Sequence, residues 1–97
     1  MDEKEKARLS LCIVNWLAPF SVGGVGFGLP AFENVIQANT PSALAEEEKA
    51  ERANACIKAL EEKNLVKPGL FLRTYTASST ATFAPSTSSD PWAWEEK

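Results

Sequence analysis

Residues 9–32 read LSLCIVNWLAPFSVGGVGFGLPAF, 24 residues between Arg8 and Glu33 without one charged side chain. Drawn as a single helix at about 1.5 Å per residue, the run would cover roughly 36 Å, against about 30 Å of bilayer hydrocarbon. Its length therefore permits a membrane span. Pro19, Pro30 and four glycines (Gly23, Gly24, Gly26, Gly28) interrupt it. Glycines inside a membrane are tolerated where another helix packs closely against them, so this reading expects an element embedded in a larger assembly.

The same run supports a second reading, a helix from about Asp2 to Ala18 ended by Pro19. Leu9, Cys12, Ile13, Trp16, Leu17 and Phe20 then fall on one apolar face. Asp2 and Glu3 would sit well at the positive end of its dipole. Leu11, Val14 and Ala18 make the other face apolar too, and a helix apolar on all sides must be buried in protein or in lipid. A third reading, a leader with Leu9–Ala18 as its apolar region, meets mixed acids and bases where a basic leader would be expected.

Outward from this run, residues 1–8 form a flank of three acids and three bases. Lys4, Lys6 and Arg8 precede the apolar run, and the next basic residue is Lys49. Were the run to span, that bias would place the N-terminus in cytoplasm, matrix or stroma and residues 33–97 across the membrane. Residues 33–69 are polar and predict an amphipathic surface helix over about 41–64. Thr40 stands as its N-cap, Pro41 at its first position, and Ala53, Cys56, Ile57 and Leu60 form a narrow stripe. So narrow a stripe implies a partner surface for Ile57 and Leu60. Residues 70–76 could form a short strand. Ten of the 16 residues from Thr74 to Ser89 are Ser or Thr, the composition of an extended tail over 70–97 that orders only against something else. Trp92 and Trp94 alternate, so both rings face one way in extended chain. They suit an anchor in a partner groove or membrane interface, or a tail folding back onto its own core.

The chain of 97 residues carries 10 Lys plus Arg, 13 Asp plus Glu and no histidine, for a net charge of −3. No basic stripe marks a nucleic-acid binder. The lack of histidine removes the commonest general base and metal ligand, so no catalytic residue and no metal centre is expected. Cys12 and Cys56 read as buried structural thiols. The glycine run fits neither a dinucleotide fingerprint nor a phosphate loop and reads as a partner-packing segment. The Glu46–Glu48 cluster reads as a solvated helix start. Asn15, Glu33, Asn34 and Gln37 are the oxygen donors near the apolar run that could reach a pigment magnesium. Trp16, Phe20 and Phe27 could cover such a pigment.

Trp16-Leu17-Ala18-Pro19, followed by Phe20-Ser21, resembles the Trp-Leu-Ala-Pro segment of the small photosystem I subunits of the PsaO type. Gly69-Leu70-Phe71-Leu72 faintly echoes a later stretch of that family. The match covers under a tenth of the chain, and residues 33–73 are too polar for the second membrane helix the family possesses. The resemblance implies a chloroplast thylakoid membrane, with photosystem core and light-harvesting antenna proteins as partners, contact with lipid, and peripheral contact with chlorophyll or carotenoid. The combined expectation is a mainly α chain with one membrane-embedded or buried apolar element, one amphipathic surface helix and an extended tail. Its function would be that of a non-catalytic accessory subunit stabilising interfaces of a large membrane complex. A soluble helical protein-interaction module is the alternative.

Overall fold

A computed structural model describes residues 1–85 and 88–95. The decisive run is not one helix. It is divided among the end of α1 (Glu3–Leu17), a 3-10 turn (Ala18–Phe20), a loop, and the start of α2 (Leu29–Ala38). Among the described residues no helix is long and apolar enough to cross a membrane. The expected membrane-embedded element is thereby corrected, and its prolines and glycines give the reason. Pro19 lies in the first turn of the 3-10 segment, where a missing N–H costs nothing. Gly24 takes φ +76°, a left-handed turn that side chains resist. Pro30 does not interrupt a helix but opens one, because it lies in the first turn of α2 behind the N-cap Gly28.

α1 starts where Asp2 caps it, its carboxylate accepting the Glu5 N–H at 2.8 Å. α2 ends by turning its carbonyls inward to side chains. The Thr40 hydroxyl donates to the Ile36 carbonyl and the Asn39 amide to that of Val35. Thr40 thus finishes α2, and α3 runs from Glu46 to Glu62, five residues later than a Pro41 start. Its C-terminus closes with Asn64 at φ 61°, where the Leu65 N–H reaches the Leu60 carbonyl and the Asn64 N–H that of Glu61. Two short strands follow, β1 (Val66–Pro68) and β2 (Tyr75–Ala77), paired antiparallel with Val66 opposite Ala77 and Pro68 opposite Tyr75.

Leu9, Ile13, Leu17, Phe32, Ile36 and Leu60 are fully buried in one core that α1, α2 and α3 share. Each such side chain contributes about 1.5–3 kcal/mol on leaving water. α1 is also apolar on its far side, where Leu11 and Val14 are buried. The C-terminal segment covers that side. Asn15 on α1 holds Phe83 by both of its amide groups, Nδ2 donating to the Phe83 carbonyl at 2.7 Å and Oδ1 accepting its N–H at 2.8 Å. Trp94 packs edge-on against Phe83 at 5.5 Å. The tail folds back on its own core, and its ordering is supplied from inside the chain. Asn15→Ala leaves both Phe83 backbone groups without these partners and should cost about 2 kcal/mol, read as a lowered denaturant midpoint. An unchanged midpoint would remove Asn15 as the fastener.

Candidate functional site

The end of the molecule beyond α1's C-terminus is built from two loops that brace each other. Phe27 in the loop 21–28 exchanges both backbone hydrogen bonds with Tyr75 at 2.8 and 2.9 Å, adding a one-residue third strand to the β1–β2 ribbon. The Ser21 hydroxyl donates to the Leu17 carbonyl and accepts the Ala77 N–H, tying the ribbon to the end of α1. Gly26 lies on the ribbon so closely that a Cβ there would come 2.8 Å from the Tyr75 carbonyl oxygen. A Cβ on Gly69 would come 2.7 Å from the Thr74 hydroxyl and 3.1 Å from Gly26 itself. The two loops thus meet backbone to backbone, where only glycine fits.

From this support the turn between β1 and β2 projects. Its base is closed by the Gly69 N–H on the Thr74 carbonyl at 2.9 Å, and the Thr74 hydroxyl donates to the Phe71 carbonyl at 2.6 Å. Arg73 takes φ 62°, which turns the chain back. Leu70, Phe71 and Leu72 stand 75%, 71% and 89% exposed, and in the adjoining loop Val22 is 81% exposed. Val25 and Phe20 are nearly half exposed. Single exposed apolar residues are ordinary, but six at one end mark an interaction surface.

Charge is distributed to match. Residues 64–89 hold two charged side chains, Lys67 and Arg73, both exposed and both positive, and residues 9–32 hold none. The remaining eight basic and thirteen acidic side chains lie elsewhere in the chain. An apolar, cationic tip therefore crowns an acidic molecule.

Behind the tip lies an aromatic cluster. Trp16 meets Phe27 at 4.9 Å, Phe20 at 5.3 Å and Phe32 at 6.2 Å between ring centroids, and Phe20 meets Phe27 at 5.2 Å. The three aromatic candidates for pigment contact thus stack on one another as the floor of the tip. Asn15 is not with them, since its amide is committed to Phe83. Gln37 is committed as well, its Oε1 accepting the Leu44 N–H and its Nε2 donating to the Ser42 carbonyl. Glu33 is half-buried and Asn34 exposed. Among the described residues no group of three His, Cys, Asp or Glu is placed to hold a metal.

The residues assigned by sequence to partner binding fall largely inside. Ile57 and Leu60 are buried in the core shared with α1 and α2, so α3's narrow stripe is covered within the chain. Trp92 and Trp94 are buried too, which corrects the outward anchor. The Trp92 indole N–H donates to the Glu3 carboxylate at 2.6 Å, and the Lys63 ammonium lies 4.6 Å over its ring and 3.0 Å from Glu95. The glycines divide. Gly26 is a packing glycine, whereas Gly24 serves a positive φ, and Gly23 and Gly28 have room for a Cβ.

Other candidate chemistry is spent on structure. Burial pushes the Cys12 and Cys56 thiols upward, so neither is a thiolate near neutral pH. An open cleft of about 700 Å³ between the start of α1 and the tail is lined by Arg8 and Arg52. Both are paired, Arg8 with Glu5 at 2.7 Å and Arg52 with Glu48 at 2.7 Å.

Comparison with protein-family models, with curated proteins and with solved structures finds no match. The tip itself was missed by sequence reasoning, which took 70–76 as a possible strand. Its signal was present, since an apolar triplet directly after Pro68-Gly69 lies where a turn, not a strand, begins.

The hydrogen bond from Trp92 holds the Glu3 carboxyl below its ordinary range, and Arg8 and Arg52 do the same for Glu5 and Glu48. A lowered folded-state pKa contributes stability above the unfolded value and loses it as pH falls. Stability should therefore decline on acidification from pH ~5 downward through the carboxylate range. Glu3→Gln should flatten that decline in a pH series of thermal melts. An identical slope in the variant would separate Glu3 from the latch.

Proposed function

We propose that this chain is a non-catalytic accessory subunit that attaches peripherally to a larger membrane-associated assembly through its apolar tip. The observation that carries the reading is the exposed Leu70-Phe71-Leu72 turn, held rigidly on Gly26 and Gly69 and flanked by Lys67 and Arg73. A small chain that buries both its tryptophan-rich tail and its helical stripes, yet leaves this end bare, has an outward task there. The absence of histidine, the protonated thiols and the committed amides of Asn15 and Gln37 support a role without catalysis.

Two segments, Trp16–Ser21 and Gly69–Leu72, resemble PsaO-type subunits. That makes photosystem I and its antenna, in the thylakoid, the first assembly to test. The alternative is a soluble helical interaction module using the same tip on a protein partner. It is supported by the closed core and the covered far side of α1.

Native electrophoresis of gently solubilised membranes separates these readings. The chain should migrate with a pigmented complex, and a variant with Leu70, Phe71 and Leu72 all replaced by Ser should be released as a free small species. Equal retention of wild type and variant would overturn attachment by the tip. Recovery of the wild type only from the soluble fraction, in a complex that the variant fails to form, would select the soluble module.

A further inference from the structure

We infer that the tip is a wedge for an anionic lipid surface: Leu70, Phe71 and Leu72 enter the headgroup–acyl boundary while Lys67 and Arg73 meet lipid phosphates. The inference rests on the attachment reading and names what the tip touches. Three observations favour a bilayer over a protein groove.

The first is shape. Leu70, Phe71 and Leu72 are consecutive in a tight turn and all more than two-thirds exposed. Side chains of successive turn residues diverge, so no one groove wall receives all three, whereas a fluid acyl boundary accepts them in any direction. The second is charge. The two charged residues of the turn and its strands, Lys67 and Arg73, are both basic, and the thirteen acids lie outside residues 64–89 of the sequence. Such a molecule approaches an anionic surface tip first. The third is backbone chemistry. Backbone groups left bare in hydrocarbon are costly; this turn pairs the Gly69 N–H with the Thr74 carbonyl and the Phe71 carbonyl with the Thr74 hydroxyl, while the Leu70, Phe71 and Leu72 N–H groups need water or headgroups. Insertion is thus shallow, about 5–10 Å, the depth at which apolar faces of peripheral proteins rest. The glycine contact of the two loops presents the wedge already formed, so little ordering is left for the binding step.

The test is co-sedimentation of the full chain with vesicles of phosphatidylcholine alone or mixed with phosphatidylglycerol. Each cation near an anionic surface strengthens binding about five-fold, so the mixed vesicles should be preferred roughly thirty-fold, and less in high salt. Phe71→Ser should weaken binding by on the order of tenfold on both vesicle types. Lys67→Glu with Arg73→Glu should abolish the preference and spare the residual binding to phosphatidylcholine. All three sites are exposed, and circular dichroism should give the wild-type spectrum for each variant. A wild type that ignores both vesicles overturns the inference, as does full binding by Phe71→Ser. If vesicles are ignored while the triple-Ser variant still leaves its native complex, the tip is a protein-docking surface; the attachment reading then survives without the lipid. Vesicle binding by a chain that joins no complex would uphold the wedge and defeat the subunit role.

Discussion

A helix segment that is apolar on both sides has to be covered on both sides, and α1 from Leu9 to Leu17 imposes that demand on the elements around it. Its one side takes α2 and α3, through Leu9, Ile13 and Leu17 against Phe32, Ile36 and Leu60. Its other side, with Leu11 and Val14, takes the C-terminal segment. A tail dominated by Ser and Thr has little apolar area to offer for this purpose. Phe83, Trp92 and Trp94 supply what area there is, and three polar fasteners set its path: Asn15 on Phe83, Glu3 on Trp92 and Lys63 on Glu95. The fasteners do not drive the burial; they choose which surface of α1 the aromatic rings cover.

That division of labour explains why the tip stays bare. The aromatic residues of the tail are used along α1, Phe83 at Asn15 and Trp92 at Glu3, and the loop 21–28 bonds the ribbon through its backbone at Phe27. The bare end is therefore a property of the packing, and the cationic character of Lys67 and Arg73 gives it a direction.

Much of this was legible in the chain before its structure. The periodicity of Leu9, Ile13 and Leu17 specifies α1 and its end at Pro19, and the stripe of Ala53, Cys56, Ile57 and Leu60 specifies α3. α2 was hidden, because Leu29–Ala38 straddles the junction between an apolar run and a polar one, and Pro30 looks like a breaker until its first-turn position is known. The membrane reading failed on the same residues. A count of uncharged positions does not register that Gly24 and Gly26 turn the chain and lay it on a ribbon. Trp92 and Trp94 posed the opposite difficulty, since local alternation says that two rings lie on one side but not which surface receives them. For the site, hydrogen bonds between residues far apart in the sequence, such as Asn15 to Phe83, have no local signature.

Glu3 and Trp92 are 89 residues apart in sequence and joined by a hydrogen bond in space. The polypeptide is in effect a loop drawn shut at one pole, while the tip occupies the other, beyond the length of α1 at about 22 Å. The exposed segment 41–43 between α2 and α3 lies outside this closure and would tolerate a cut or an insertion. Read this way the chain is a handle and a head. The pole where Glu3 meets Trp92 then faces away from the surface that the head touches.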